Sequence, residues 1–566
     1  MWIKPWTYKE GIAIGIALSV VGLMLQLSVG PINWDLFAMP VNVIFLIIYL
    51  MALIAAYVLR GKIYAVRWSM SYHAAIPAIL ITGVATVVYG ITCDRSTLSA
   101  WSFVLLYFWL TTILGLTCLR QLHQLVARKS SFSSSFSLIS HLGLFIAIVA
   151  ATLGNADMVK QKMTVRQDAP EWRAVDDNGK IHELDIAIQL NHFAIEEYPP
   201  KIVIIDNETG KTLPEGKPAA LVLEDSVMTG QLLGHDIKVT RVHQYCAMFA
   251  TADTVNYVPW AYSGATTAAL VSIDGRPAQW ISNGSYMFPY RPIRIDDKTS
   301  AVMPECEPKR FVSNVNAFAK SGEMVKEVDI EVNKPLEFDG WKIYQLSYDE
   351  TKGRWSDISV LELVRDPWLP FVYAGIFMLL AGALIMFLTA GGKKIWILSF
   401  STLLALVFIC INIFKPEIHN KTLMPALQSP WFAPHVIIYM FCYALLGAAT
   451  LVGVAQLIRR SSSSLSLVDN LVYVGLAFMT VGMLFGALWA KEAWGHYWAW
   501  DPKETWAAAT WMLYLGYLHL RKASPLQHKA ATWLLIISFC CLQMCWWGIN
   551  YLPTAQGNSV HTYNMK

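Results

Sequence analysis

The sequence has 566 residues, of which 55% are hydrophobic and 15% are charged, and this balance predicts a polytopic membrane protein. Its net charge of +4 at pH 7 is spread along the chain without a basic cluster, which argues against a nucleic-acid partner. The nine cysteines include no CxxCH and no paired CxxC, so the chain is neither a c-type cytochrome nor a zinc-ribbon protein.

Five apolar runs in the N-terminal part of the chain are long enough to cross a bilayer, at about 11–30, 41–60, 72–92, 101–118 and 137–153. After a polar interval, six more follow at about 369–390, 395–413, 435–457, 470–489, 503–520 and 531–551. We therefore predict a polytopic α-helical fold with about eleven transmembrane helices. There is no signal-peptide cleavage pattern, so we expect the first run to remain as a membrane helix.

Lysine and arginine residues mark one side of the predicted topology, because such residues collect in cytoplasmic loops. They occur before the first run and then after every second run, at Lys4, Lys9, Arg60, Lys62, Arg67, Arg120, Arg128, Lys129, Lys393, Lys394, Arg459, Arg460, Arg521, Lys522 and Lys529. The pattern predicts a cytoplasmic N-terminus. It also predicts that the C-terminus lies outside, as does the polar interval in the middle of the chain.

The interval from Asn155 to Pro367 alternates between apolar and polar residues in stretches such as HELDIAIQL, KIVIIDN and GHDIKVTRV. Alternation of this kind is typical of half-buried strands, and turns such as DNETG separate the stretches. We predict a β-rich extracytoplasmic domain of about 210 residues. Cys246 and Cys306 lie in it, and a disulfide between them stays open.

The stretch WGHYWAWDPKETW, residues 494–506, contains four tryptophans. Asp501 suits a helix N-cap, with Pro502 at the first helical position and Glu504 three residues after the cap, as in a capping box. Tryptophan also collects at membrane–water interfaces. Neither explanation accounts for three tryptophans gathered just before the cap, so a flat ligand is the alternative.

The predicted topology sorts the histidines by side. His435, at the start of the eighth run, and His561, after the last run, lie on the same side as the tryptophan stretch. Two imidazoles are the axial ligands of a six-coordinate haem iron, and a porphyrin is a flat ligand for tryptophans. His141 opens the fifth run and His519 closes the tenth, on the opposite side. Histidines at membrane depth are by default functional, and the alternative is a packing role.

The pattern W-G-x-x-W-x-W-D-x-x-E-x-W is met in full by Trp494, Gly495, Trp498, Trp500, Asp501, Glu504 and Trp506. It resembles the signature of the tryptophan-rich (WWD) haem-handling family of cytochrome c biogenesis proteins. The segments ALQSPWFAPHV, TWMLYLGYLHLR and GNSVHTY resemble the CcsA branch of that family. The last segment departs at Ser559, Val560 and Thr562 from the family pattern, which is nearer to G-x-G-L-H-S-Y.

Upstream, SHLGLFIAIVAATLGNADM and DPWLPFVYAGIFMLLAGALIMF resemble the ResB-like partner, CcsB. The resemblance implies four segments along the chain. These are ResB-like transmembrane helices in 1–154, the extracytoplasmic domain in 155–367, a last ResB-like helix in 368–391, and a CcsA-like haem-handling domain in 392–566 with its motif at 494–506.

The resemblance implies a fused CcsBA-type holocytochrome c synthase, a haem lyase of the bacterial inner membrane. Haem b, its substrate, would pass membrane-embedded histidines that match His141 and His519. It would then be held outside by histidines that match His435 and His561, beside Trp494, Trp498, Trp500, Asp501 and Trp506.

Such an enzyme would join the vinyl groups of haem to the CxxCH thiols of an apocytochrome c. The implied partners are that apocytochrome, a thioredoxin-like protein that reduces its thiols, and membrane lipid. The alternative is a haem exporter or chaperone that forms no thioether. A haem-based quinol oxidoreductase ranks third, because its histidine pairs would face each other within the membrane.

Overall fold

The computed structural model describes residues 2–127, 132–215, 218–251, 254–388, 393–414, 423–459 and 465–555. The chain divides into two compact units. The helical unit comprises Met1–Lys160, Val364–His419 and Ser429–Lys566. The β-rich unit comprises Gln161–Leu363 and Asn420–Gln428.

The helices of the described chain are α1 (Tyr8–Val29), α2 (Val41–Val58), α3 (Tyr64–Ser69), α4 (Tyr72–Thr92), α5 (Trp101–Val126), α6 (Phe132–Gly154), α7 (Leu369–Leu388), α8 (Lys393–Phe414), α9 (Phe432–Ile458), α10 (Ser466–Trp494), α11 (Pro502–Ala523) and α12 (His528–Trp546). Each predicted apolar run corresponds to one long helix, and the short α3 is additional. Among the described residues, nine helices are long and apolar enough to cross a membrane. Of the other two long helices, α7 contains a shorter apolar stretch, Leu369–Gly382, and α11 carries charged residues at both ends. The protein is thus a polytopic helical membrane protein with a β-rich domain.

Helices α6 and α7 pack closely although the β-rich unit separates them in sequence. A Cβ atom added at Gly143 would lie 2.6 Å from the backbone nitrogen of Leu379, and one added at Gly375 would lie 2.6 Å from that of Ala147. Membrane helices gain little from hydrophobic association, so close contact through small residues is a main source of their packing energy. Glycine at these positions therefore allows the two backbones to touch.

Helices α4 and α11 form the second close contact, and it joins the N-terminal and C-terminal helices. A Cβ atom at Gly516 would lie 2.5 Å from Cδ2 of Leu80. At the start of α11, Nε1 of Trp506 donates a hydrogen bond of 3.1 Å to the carbonyl oxygen of Gly90. The helices before and after the β-rich unit therefore share one packed core in the helical unit.

The strands are β1 (Val159–Arg166), β2 (Glu171–Val175), β3 (Ile181–Glu197), β4 (Lys201–Asp206), β5 (Ala220–Val222), β6 (Met228–Leu232), β7 (His235–Ala250), β8 (Val255–Pro259), β9 (Thr266–Ile273), β10 (Gln279–Ser282), β11 (Ile293–Arg294), β12 (Thr299–Val302), β13 (Pro308–Ala319), β14 (Met324–Glu331), β15 (Leu336–Phe338), β16 (Trp341–Tyr348) and β17 (Ile358–Arg365). They form an eight-stranded sheet in the order β14-β13-β3-β2-β1-β17-β16-β15. A five-stranded sheet has the order β10-β9-β7-β6 with β8 beside β7, and a four-stranded sheet has the order β11-β12-β4-β5.

The predicted alternation of strand residues corresponds to alternating burial. In β3, for example, Ile186, Ile188 and Leu190 point into the core of the eight-stranded sheet. The first and last strands of the unit, β1 and β17, are neighbours in that sheet. Trp368 lies just before α7 and Asp157 just after α6. Nε1 of Trp368 donates a hydrogen bond of 2.6 Å to the carboxylate of Asp157. The chain therefore enters and leaves the β-rich unit at adjacent points.

The two cysteines of the β-rich unit are free thiols. Sγ of Cys246 lies 3.1 Å from the carbonyl oxygen of Thr266, and Sγ of Cys306 lies 3.9 Å from Oγ1 of Thr267. Burial raises the pKa of the Cys246 thiol to about 12 and that of Cys306 to about 11. Both thiols are therefore protonated at neutral pH, and the open question of a disulfide is answered in favour of free cysteines.

The close contact between α6 and α7 predicts that replacing glycine with alanine destabilises the protein at Gly375 but not at Gly61. Gly375→Ala places a methyl group against the backbone of α6, and overpacking of this kind costs about 1–3 kcal/mol. We expect a lower melting temperature for the detergent-purified variant. Gly61→Ala is the matched control, because no atom lies within 4 Å of its added Cβ. Equal melting temperatures for the two variants would contradict the packing.

Candidate functional site

The tryptophan stretch forms a tight connection between two helices. Helix α10 ends at Gly495, whose φ of 75° is left-handed, and Asp501 caps the start of α11. A carboxylate oxygen of Asp501 accepts a hydrogen bond of 2.8 Å from the backbone N–H of Lys503. Oε2 of Glu504 accepts a hydrogen bond of 3.2 Å from the backbone N–H of Asp501. The predicted capping box is confirmed. Glu504 also accepts from the backbone nitrogen of Ala499 over 2.8 Å, so its carboxylate holds the connection together.

Trp500 lies in a socket of aromatic side chains. Its ring centroid is 6.0 Å from those of Tyr89, Phe103 and Tyr107, with edge-on geometry in each case. Its φ of 55° is left-handed, which is a strained conformation for a bulky residue and costs about 1–3 kcal/mol. The ring contacts to α4 and α5 stabilise this conformation. Trp500 is thus a packing residue as well as a motif residue.

The motif tryptophans do not form one flat surface. Trp498 lies 5.9 Å from Trp500 between ring centroids, and the two planes are almost perpendicular at 89°. Trp506 is only 4% exposed and bonds to α4, so its ring is part of the helix packing. Trp494 belongs to a separate aromatic group on α10, where its ring centroid lies 4.9 Å from that of Trp489.

His435 lies in the first turn of α9, and its ring is held by α10. Nδ1 is 2.8 Å from the carbonyl oxygen of Gly482. Because a carbonyl oxygen only accepts, Nδ1 of the neutral ring carries the proton and the lone pair is on Nε2. This tautomer is the one in which Nε2 can bind a metal. A Cβ atom at Gly486 would lie 2.8 Å from Cε1 of His435, so glycine provides the space for the imidazole.

An aromatic chain connects His435 to the motif. The ring centroid of Trp489 lies 5.9 Å from that of His435 and 4.9 Å from that of Trp494. Trp494 in turn stacks on His496 at 6.4 Å with an interplanar angle of 21°. Trp489 is 1% exposed, and it was not predicted as a site residue because it closes the apolar run 470–489. Its position five residues before Trp494 was the sequence feature that could have identified it.

His561 lies outside the described residues. The segment that leads towards it is placed up to Ala555, and it is attached to the end of α4. Oγ1 of Thr554 donates to the carbonyl oxygen of Ile91 over 2.7 Å. The chain therefore passes close to α4 shortly before His561.

The other two predicted histidines are brought into one neighbourhood by α6 and α11. Nδ1 of His141 lies 2.6 Å from the carbonyl oxygen of Ser137, and Nδ1 of His519 lies 2.8 Å from that of Leu515. Both neutral rings therefore present the lone pair on Nε2, as in His435. The two imidazoles are close enough to interact electrostatically. The ring of Tyr72 packs against His519 with centroids 6.0 Å apart.

The end of α10 carries two ionisable residues that the sequence analysis did not single out. Nζ of Lys491 donates to the carbonyl oxygen of Gly495 over 2.9 Å and lies 3.8 Å from Oδ2 of Asp366. Glu492 accepts from Nε1 of Trp431 over 2.9 Å, which fastens the start of α9 to α10. A Lys-Glu pair between the apolar run 470–489 and the tryptophan stretch was the signal that would have identified them, since charges next to a membrane segment are costly.

Two family models match this chain. Residues 368–555 match the cytochrome c assembly protein family, and residues 264–358 match the ResB-like family. The chain is a fused ResB/CcsA protein of cytochrome c biogenesis. The predicted family is confirmed.

Curated relatives of this fused ResB/CcsA protein are named cytochrome c biogenesis protein CcsA. The one from Chlamydomonas reinhardtii is 33% identical over 175 residues, which is 29% of this chain and 48% of the relative. Those from Mesostigma viride and Guillardia theta are each 32% identical, over 26% and 30% of this chain and 58% and 63% of the relatives. The chain thus spans about half to two thirds of the length of the relatives it matches.

The position of His435 next to Gly486 gives a test in cytochrome c biogenesis. Gly486→Ala would place a methyl group within contact of the imidazole, and displacing the ring by overpacking costs about 1–3 kcal/mol. We expect the yield of covalent c-type cytochrome to fall roughly tenfold in a co-expression assay. Gly447→Ala on α9 is the control, because its Cβ would meet only Phe539 of α12, at an ordinary 3.6 Å. A normal yield from Gly486→Ala would mean that the ring position is not critical.

Proposed function

We propose that this fused ResB/CcsA protein is a holocytochrome c synthase. It would carry haem b from the cytoplasmic side of the bacterial inner membrane to the outer face and attach it to apocytochrome c. One observation carries the proposal: His141, His435 and His519 each have Nδ1 within 2.8 Å of a backbone carbonyl. A hydrogen bond from Nδ1 to a carbonyl oxygen is typical of imidazoles that bind a metal through Nε2.

The inner pair suits haem on its way through the membrane. His141 and His519 come from different helices, so two axial ligands could approach one iron from opposite faces. An iron already held by four porphyrin nitrogens needs only two protein ligands. This donor set therefore fits haem better than it fits a bare ion, for which three or more ligands are usual.

The outer histidines would present haem to the apocytochrome. His435 is the described member of this pair, and His561 is its proposed partner. Trp494, Trp498 and Trp500 are the partly exposed motif rings. Because aromatic side chains of α4 and α5 surround Trp500, Trp494 and Trp498 are the proposed contacts for the porphyrin. The remaining motif residues, Trp500, Asp501 and Trp506, would act indirectly. Their packing and capping contacts fix the connection that carries Trp494 and Trp498.

The chemistry requires positioning more than acid–base catalysis. The S–H bond of each CxxCH cysteine adds across a vinyl C=C bond, with sulfur joining the carbon next to the ring and the proton joining the terminal carbon. Orienting two partners in this way can supply several orders of magnitude in rate. Two protein imidazoles would hold the iron and help to keep it reduced. The histidine of CxxCH would then replace one of them and start product release.

The proposal predicts how haem is bound in the purified protein. We expect b-type haem, held by coordination alone, with the low-spin spectrum of an iron that has two imidazole ligands. The measurement is a reduced absorption spectrum together with haem staining on a denaturing gel. Haem that remains attached to the polypeptide on the gel, or protein purified without haem, would contradict it.

The four histidine positions predict two different phenotypes. His141→Ala and His519→Ala should leave little haem anywhere in the protein, because the outer site would not be supplied. His435→Gly and His561→Gly should retain haem that is wrongly ligated and easily oxidised. Added imidazole should partly restore the low-spin spectrum of these two variants, since glycine leaves a gap about the size of the lost ring.

The control for this series is His123→Ala, which removes a histidine in the last turn of α5. It should have normal haem content and cytochrome yield. Full haem content in His141→Ala and His519→Ala would refute the route through the membrane. Normal haem binding without any thioether product, in cells that lack another maturation system, would favour an exporter or chaperone instead.

A further inference from the structure

Two cations lie beside the inner histidine pair. Arg120 on α5 precedes Gln121, whose Nε2 lies 3.4 Å from Nδ1 of His141. Lys522 follows His519 by one turn of α11, so the two side chains share a helix face. Both cations are close enough to His141 to interact electrostatically with it, and Lys522 also interacts with His519.

The two cations lack carboxylate partners within the described part of the chain. Nη1 of Arg120 donates to the carbonyl oxygen of Met70, but its buried Nε has no hydrogen-bond partner among the described residues. A buried donor without an acceptor is costly, and more so when it is charged.

The neighbouring Arg521 is different from these two cations. Its guanidinium forms two hydrogen bonds with Asp469, of 2.9 and 3.0 Å. Asp469 also accepts a hydrogen bond from Tyr517 over 2.8 Å. Asp469 is therefore already engaged by Arg521 and Tyr517, and a ligand with carboxylates of its own would complement the charges of Arg120 and Lys522.

We propose that Arg120 and Lys522 bind the two propionate carboxylates of the haem that His141 and His519 ligate. This inference rests on the proposed function. The charges match, because a porphyrin with ferrous iron is neutral apart from its two propionates, and two cations balance them. Arginine suits a carboxylate especially well, since its planar donors form paired hydrogen bonds.

The proposed contact also sets the orientation of the substrate. The propionates and the vinyl groups occupy opposite edges of the porphyrin. Holding the propionates at Arg120 and Lys522 would therefore direct the vinyl edge, where the thioether bonds will form, away from the C-terminal ends of α5 and α11, which are predicted to face the cytoplasm. A haem that moved on without rotating would reach the outer site with its reactive edge in front.

The test compares haem with haem dimethyl ester, in which both carboxylates are masked while the iron and the vinyl groups are unchanged. Each is titrated into haem-depleted full-length protein in the same lipid nanodiscs, and binding is followed by the low-spin spectrum. We expect the wild type to prefer haem. The preference should fall roughly ten- to a hundredfold in Arg120→Met, because a charged hydrogen bond is lost, and further in the variant that also carries Lys522→Met.

Two controls accompany these variants. Lys529→Met removes a lysine in the first turn of α12, on a different helix from either histidine, and should keep the wild-type preference. Arg120→Lys keeps the positive charge without the planar donors and should retain part of the preference for haem. Because the result is a ratio measured in identical nanodiscs, any difference in how the two haems partition into lipid cancels between variants.

The outcomes separate this inference from the proposed function. If His141→Ala binds both haems as the wild type does, the route itself is wrong. If His141 is required but the preference for haem persists in the double variant, only the propionate contact is wrong. Equal weakening of both haems would assign the cations to helix packing or to phospholipid headgroups, and it would also overturn the inference. Should Arg120→Met fail to fold, Lys522→Met alone decides the question.

Discussion

The contact between α4 and α11 supports both ends of the candidate site. Near the start of α11, Trp506 bonds to Gly90, and near its end His519 packs against Tyr72. One pair of helices therefore fixes the tryptophan connection and one inner histidine. Since α4 precedes the β-rich unit in the chain and α11 follows it, neither set of helices alone holds these groups in place.

The length of α11 separates the two ends of the site. An α-helix rises 1.5 Å per residue, so Trp506 and His519 are about 20 Å apart along the axis. This is further than one porphyrin extends. Haem ligated by His519 therefore cannot occupy the tryptophan connection at the same time. The proposed function accordingly needs two binding positions along one route, and a ligand that exchanges one set of imidazoles for another.

Much of the local structure was predictable from the sequence because it depends on neighbouring residues. Apolar runs indicated the long helices, and the Asp-Pro-x-Glu spacing predicted the cap at Asp501. The packing of Trp500 was not predictable, because its contacts, Tyr89 and Phe103, are distant in the chain. A single sequence does not say which helices are neighbours. The same limit applies to the β-rich unit, where alternation indicated strands but not the pairing of β13 with β3.

The adjacency of β1 and β17 has a consequence for how such a chain is assembled from parts. Two strands that are neighbours in a sheet begin and end the β-rich unit, and the helices that flank it, α6 and α7, already touch through glycines. The continuous part of the unit, Gln161–Leu363, is thus an insertion into a helical hairpin, whereas Asn420–Gln428 joins the unit from between α8 and α9. Insertions with adjacent ends are the kind that folds tolerate best. The hairpin therefore holds together through its own glycine contacts, and the long β-rich segment between its two helices is not needed to bring them together.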